Sequence, residues 1–407
     1  MTKRMLLAIL LLIVFALPAG CQKQGGEPTQ PTAPAPTILP THTPEPSPTP
    51  TPDPVGEALA GMTVEQKAAQ LLVAGIEGTE PGEDAVQAVQ GYQVGGVILF
   101  GRNVESAEQL AALTNGLKEL NGDYTPLFLC VDQEGGRVDR MPPEVTDLPS
   151  ALDFGSIADP EARMDACFTL GQTLAAQCAA FGFNMDFAPS LDIWSNPENT
   201  VIGDRAFGTD AATVTGAANE TALGILSGGV IPVAKHFPGH GDTAVDSHYG
   251  LPVVDKSLEE LEELELRPFR QAIDTTCVYG TYGGDTSIPA IMVAHILLSQ
   301  IDPDNPASLS PEVVTGLLRE EMGYEGVVCT DDLTMGAISN TYGMGEAAVL
   351  AVEAGCDLLL VCHGADNLAA AQAVYGLSNA PVEAPDIEAL NDRIAALERS
   401  IEADTSQ

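Results

Sequence analysis

Positive charge is scarce in this chain. Against 57 Asp and Glu it has 17 Lys and Arg, a formal net charge of −40. Phosphate backbones and anionic head groups would be repelled, which excludes nucleic acid and bare lipid surfaces as partners; the acid excess itself reads as a solvated surface. Apolar runs of bilayer length are lacking near the N-terminus, where Met5 to Leu17 supplies only thirteen residues. No G-x-G-x-x-G turn follows the first strand-like run of the folded region, which argues against a dinucleotide-binding open sheet. Cysteines number eight, and the seven after Cys21 are an odd set, so no disulfide framework is expected. Cys130, Cys329 and Cys362 each sit in an apolar run, where a Cys is usually a small core residue. Histidine is rarer still at six, yet three fall within Lys235 to Gly250.

What is present falls into three parts. Thr2-Lys3-Arg4, the apolar run and Pro18-Ala19-Gly20-Cys21 have the layout of an export signal, and the terminal Cys resembles a bacterial lipoprotein signal. Residues 1–20 are therefore expected to be a signal peptide and Cys21 the lipidated residue, with simple secretion as the alternative. From Gln22 to Pro54 eleven prolines stand among Thr, Ser and Ala, so residues 21–54 read as an extended spacer. At ~3.1 Å per residue such a spacer reaches roughly 100 Å. Residues 55–407 read as the single folded domain, with a helical stretch from Ile387 to Ile401 near its end.

That domain opens with Thr63-Val64-Glu65-Gln66, a capping box. Eight apolar runs follow: Leu71–Ala74, Val94–Phe100, Leu127–Val131, Phe183–Ala188, Val230–Ala234, Ala290–Ala294, Val327–Cys329 and Leu358–Val361. Helix-period segments separate most of them, with signals such as Ser310 at an N-cap, Pro311 after it and Gly323 at the stop. Continuous apolar strands alternating with helices predict a parallel sheet covered on both faces, and eight such units predict an α/β fold of the (β/α)8 TIM-barrel type. An open doubly wound sheet is the alternative. Polar residues trail most of the strands, including Asp132, Asp192, Arg205, Lys235, His236, His295, Asp331 and His363, as the active rim of a barrel requires.

The densest chemistry lies in Lys235-His236-Phe237-Pro238-Gly239-His240-Gly241-Asp242-Thr243 and on to Gly250. His236 and His240 have the spacing of a helical metal pair, but Pro238, Gly239 and Gly241 forbid the helix, so no metal site is expected. Asp246 and His248 are two apart; in an extended loop they leave the same side, and the carboxylate could orient and charge the imidazole. An ordinary surface loop with an Asx turn explains the same residues. Asp331-Asp332 ends a buried run, and one of the two could cap the next segment. A carboxylate there suits a glycosidase nucleophile, and His248 could be the acid/base facing it.

The loop K-H-F-P-G-H-G-D-T-x-x-D-S-H, the run Leu317-Leu318-Arg319-Glu320-Glu321 with Gly326 to Asp331, and Asp132-Gln133-Glu134-Gly135-Gly136-Arg137 together resemble glycoside hydrolase family 3. The resemblance spans about residues 57 to 401 and is to the β-N-acetylglucosaminidase branch that trims cell-wall sugars. Cys329 stands where that motif usually has an aliphatic residue or Phe. The resemblance implies that Asp331 is the nucleophile, His248 the acid/base and Asp246 its partner. It implies that Asp132, Arg140, Arg205, Lys235 and His236 hold an N-acetylglucosamine, the cations and His236 donating to it. His240 and Asp242 would shape the loop, and His295 and His363 would pack the rim. No cofactor is implied; the partners would be a carbohydrate and, through the lipid alone, a membrane, and a monomer is expected. A phosphorylase on the same scaffold and a sugar-binding lipoprotein without catalysis are the competing readings.

Overall fold

All eight apolar runs form strands in the computed structural model, which describes residues 54–274, 287–363, 370 and 373. The strands are β1 (Leu72–Gly75), β2 (Gly96–Leu99), β3 (Phe128–Val131), β4 (Met185–Asp186), β5 (Ile231–Phe237), β6 (Ala290–Val293), β7 (Val327–Asp332) and β8 (Leu358–Val361). Each pairs in parallel with its neighbours in sequence, and β8 pairs with β1 through Leu72 beside Leu359, so the sheet closes into a barrel. The open-sheet alternative is thereby removed. Cys21, the export signal, the proline-rich spacer up to residue 53 and the stretch Ile387 to Ile401 lie outside the described residues.

Continuous apolar sequence is what a closed parallel sheet needs, because alternate side chains face two different dry compartments. Val73, Ile98, Cys130, Met185, Val233, Met292, Cys329 and Leu360 fill the barrel's interior. Their neighbours, such as Leu72, Val97, Leu129 and Ile291, pack outward with the surrounding helices. Fully burying a side chain of Leu, Ile or Met size contributes about 1.5–3 kcal/mol, so interior and shell both stabilise the barrel substantially.

The helices start and stop where the sequence says they should. Thr63 forms the capping box with Gln66 ahead of α1 (Val64–Ala69). Ser106, Asp159 and Asp210 cap α2 (Ala107–Asn121), α3 (Pro160–Ala180) and α4 (Ala211–Ser227) through their side-chain oxygens. Before the helix Glu312–Glu321, Ser310 Oγ accepts from Val313 N at 3.2 Å, and Gly323 at φ +70° ends it in a conformation that favours glycine. A short helix, α5 (Gly336–Ser339), follows β7 directly, and α6 (Met344–Ala354) leads to β8. Two short parallel strands outside the barrel, Val253–Val254 and Leu297–Leu298, were not apparent from the sequence pattern. No helix among the described residues is long and apolar enough to cross a membrane.

Candidate active site

The C-terminal ends of the strands surround a cavity of about 670 Å³. All eight residues singled out from the sequence line it: Asp132, Arg140, Arg205, Lys235, His236, Asp246, His248 and Asp331. They come from β5, β7 and the connections after β3, β4 and β5, so the strand ends are what bring them together.

The deep side is a network of buried charge. Lys235 is 1% exposed, and its Nζ lies 2.6 Å from Asp132 Oδ1 and 2.7 Å from Glu134 Oε1. Glu134 accepts from Arg205 through both oxygens, at 2.8 Å from Nε and 2.7 Å from Nη2. One carboxylate thus serves two cations. Burial alone would neutralise it, but the fields of Arg205 and Lys235 hold it well below the usual carboxylate range. Burial likewise opposes the charges on Lys235 and Arg205, and the facing carboxylates overcome it and push both upward. Arg140 lines the cavity and forms no ion pair among the described residues; its backbone N donates to Gln133 Oε1 at 2.8 Å.

His236 is fixed from behind. Its Nδ1 lies 2.6 Å from Asp192 Oδ2, and Arg205 Nη2, which can only donate, lies 3.4 Å from Nε2. The Asp192 carboxylate thus takes the Nδ1 proton and fixes the ring's orientation, with Nε2 beside Arg205. Asp192 also accepts from His240 N at 2.6 Å and from Ser190 Oγ at 3.0 Å. Despite burial, the His236 ring and then His240 lower it to about 2.

The two adjacent carboxylates at the end of β7 are not equivalent. Asp332 Oδ1 accepts from Thr334 N at 2.9 Å and Cys362 N at 3.2 Å, and its Oδ2 accepts from Thr334 Oγ1 at 2.6 Å. Those bonds cap the segment that follows and engage both of its oxygens. Asp331 accepts from Asp332 N at 2.8 Å through Oδ1, and no hydrogen bond within the protein occupies its Oδ2 among the described residues. Burial opposes its ionisation, but His295, His236, Lys235 and the Asp332 amide keep it below the ordinary carboxylate value. Asp331 is thus an anionic carboxylate with one oxygen uncommitted.

On the opposite side the chain makes a turn, Asp246–Tyr249, closed by Tyr249 N donating to Asp246 O at 3.0 Å. Asp246 Oδ1 accepts from His248 N at 2.9 Å and lies 2.7 Å from His248 Nδ1. The Asx turn and the carboxylate–imidazole pair are one object: folding back, rather than the extended alternation inferred from spacing, brings the two side chains together. The His248 side chain is 61% exposed. Against the pull of partial burial, the His248 amide and ring hold Asp246 below its ordinary value.

The remaining histidines have structural partners or face solvent. His240 is buried between Thr243 Oγ1 at 2.7 Å and Ser247 Oγ at 3.1 Å, and burial lowers it to about 4. Asp242 pairs with Lys256 at 2.8 Å. His295 is buried, with Nδ1 2.7 Å from Ser308 Oγ and Nε2 2.9 Å from the Asp332 carbonyl; His363 is exposed on the cavity's edge. Glu134 and Asp192 received no role from the sequence. Glu134 stands two residues after Asp132, the spacing that puts both on one side of an extended segment, and that signal could have found it.

A cavity lined by an uncommitted carboxylate, a carboxylate–imidazole pair and a cage of polar groups holds the group types that glycoside hydrolysis uses. The family profile described as "Glycosyl hydrolase family 3 N terminal domain" matches residues 63–397. The chain belongs to glycoside hydrolase family 3. This family 3 barrel is 38% identical over 276 residues to a β-hexosaminidase of Nitrosomonas eutropha, covering 67% of this chain and 75% of that one. A family 3 β-N-acetylglucosaminidase from a Paenibacillus superposes with a TM-score of 0.72 at 41% identity, over 83% of this chain and 62% of that longer one. A β-N-acetylhexosaminidase from Beutenbergia cavernae gives 0.69 at 31%, over 82% and 96%. The protein is a glycoside hydrolase of this family.

Proposed function

We propose that this family 3 hydrolase is a retaining, exo-acting β-N-acetylglucosaminidase with Asp331 as nucleophile and His248, paired with Asp246, as acid/base. The observation that carries the reading is the inequality of the two carboxylates: Asp332 is consumed by capping, while Asp331 presents a free oxygen to the cavity. The β-N-acetylglucosaminidase and β-hexosaminidase names of similar proteins support the choice of sugar.

In the first step Asp331 attacks the anomeric carbon as the bond to the leaving oxygen breaks, and protonated His248 gives that oxygen its proton. Asp246 stabilises the imidazolium before transfer. In the second step neutral His248 takes a proton from water, whose oxygen displaces Asp331 and leaves the anomeric configuration retained. Asp132, Arg140, Arg205, Lys235 and His236 bind the sugar: the cations and His236 donate to its oxygens, and Asp132 accepts from its hydroxyls.

Residues 55–407 form the catalytic domain in this reading. Cys21 carries a lipid after removal of residues 1–20, and the spacer lets the domain reach peptidoglycan from the outer face of the cytoplasmic membrane. An aryl β-N-acetylglucosaminide incubated with the protein, with and without inorganic phosphate, tests the reaction. Turnover independent of phosphate with release of free sugar is expected; a phosphate requirement makes the protein a phosphorylase, and no turnover leaves only sugar binding. Cys21→Ser should release the protein from membranes with its activity intact, and retention on the membrane would disprove the anchor.

A further inference from the structure

The turn that carries His248 belongs to the connection after β5, yet its backbone is docked on the segment after β7, the strand that carries Asp331. Three successive carbonyls of the turn accept from that segment. Ala337 N donates to Ser247 O at 3.0 Å, Gly336 N to His248 O at 3.1 Å, and Asn340 Nδ2 to Tyr249 O at 3.0 Å.

Two features of the β7 side are explained by this docking. Helix α5 opens at Met335, which has no side chain able to cap it, although the first N–H groups of a helix need acceptors. The turn's carbonyls are those acceptors. Residue 336 is glycine, and a Cβ there would meet His248 O at 2.7 Å and the Tyr249 carbonyl carbon and oxygen at 3.0 Å, all backbone atoms with little room to move. Glycine at 336 answers to space.

We propose that Gly336 and Asn340 are positioning residues that clip the acid/base turn to the nucleophile's own strand, so that His248 and Asp331 are placed relative to each other by one short piece of chain. This rests on the acid/base assignment of His248. A side chain at 336 would lift the turn and its imidazole, while the sugar cage on β5 and after β3 and β4 would stay as it is. The loss would therefore fall on proton transfer to the leaving oxygen and spare sugar binding.

The test compares glycosylation rates, measured before steady state, for N,N′-diacetylchitobiose, whose leaving group needs a proton, and for the 2,4-dinitrophenyl glycoside, whose leaving group does not. Gly336→Ala should slow the disaccharide by between about 10- and 100-fold, the range expected for a displaced catalytic group, with the dinitrophenyl rate and sugar affinity nearly unchanged. Asn340→Ala, which removes one bond without crowding, should show the same ranking with a smaller loss, and decides the matter if the alanine at 336 does not fold. In a His248→Ala background neither change should slow the disaccharide further. Equal losses on both substrates, or losses that persist without His248, would overturn the clip. His248→Ala alone reports on the parent assignment: a loss independent of leaving group there removes the acid/base role and the clip together, whereas a graded loss there with flat effects at 336 and 340 removes only the clip.

Discussion

The two sides of the cavity are built to different standards. On the β3–β5 side Lys235, Asp132, Glu134 and Arg205 form one largely buried charge network and His236 is held by Asp192, with Arg140 outside the network. On the other side His248 is largely exposed, on a turn whose links to the rest of the protein include three hydrogen bonds to residues 336–340. On the proposed assignments the first side recognises a sugar without rearranging, because the cost of gathering the charges was met in folding, and the second admits a leaving group of varied size and still hands it a proton. Stability and chemistry are therefore separable here, and substitutions on the two sides should fail in different ways.

The largest effect should come from Asp331→Asn, which keeps the shape and removes the charge at the point where the two sides meet. Turnover should fall by several orders of magnitude with sugar binding and thermal midpoint preserved, read from kcat and a binding titration. A 2-fluoro glycoside should label Asp331 in the parent protein, and labelling elsewhere would move the nucleophile.

Glu134→Gln attacks the buried side. It strips both buried cations of a shared carboxylate, and removing one partner of such a pair typically costs about 3–5 kcal/mol of folding stability. Urea unfolding should show that loss together with weaker sugar binding; unchanged stability would mean that the network is not an energetic unit.

His248→Ala attacks the exposed side, and there stability should stay within about 0.5 kcal/mol of the parent. Glycosylation should slow by about 10²- to 10⁴-fold with a sugar leaving group and little with dinitrophenolate. Asp246→Asn should give the same ranking with a smaller loss, because the imidazole remains.

The mildest probe is pH. His240 has its folded value lowered to about 4 by burial, so the native state keeps it neutral while an unfolded chain protonates it near 6.5. The stability tied to its neutral form is complete above about pH 6.5 and is lost progressively as pH falls toward 4, by about 3 kcal/mol in total. Asp192 behaves in the usual carboxylate sense, with a contribution present above about pH 4 and lost toward 2. Unfolding midpoints between pH 7 and 4 should decline less in His240→Gln than in the parent, and parallel curves would remove His240 from the balance.

The barrel was legible because burial on both faces forces strands such as Val97–Leu99 and Leu358–Val361 to be apolar throughout, a signal no loop imitates. Asp132, Lys235, His236 and Asp331 were legible because each stands within two residues of the end of its run. The partnerships were harder to see. Glu134 lies 71 residues from Arg205, Asp192 44 from His236, and Gly336 88 from His248, and only closure of the barrel brings them within reach. The choice between Asp331 and Asp332 also needed Cys362, thirty residues on, whose amide helps to occupy Asp332. Spacing alone put Asp246 beside His248 but gave the wrong backbone for it, since alternation in an extended chain and an Asx turn both satisfy a separation of two.

Six thiols lie inside this fold, at positions 130, 167, 178, 329, 356 and 362, all free and all buried. Burial pushes each above the ordinary thiol range, Cys167 to about 11. Disulfide exchange and oxidation proceed through the thiolate, so at neutral pH these sulfurs are chemically silent for as long as the barrel stays shut. The shell of helices thus acts as a protecting group, and a chain with unpaired cysteines tolerates an oxidising compartment without cross-linking to its neighbours. With Cys21 lipidated, an aromatic disulfide reagent should find at most Cys277 in the native protein and six more thiols on unfolding. A native titre above one would mean that the barrel opens on the time scale of the reaction.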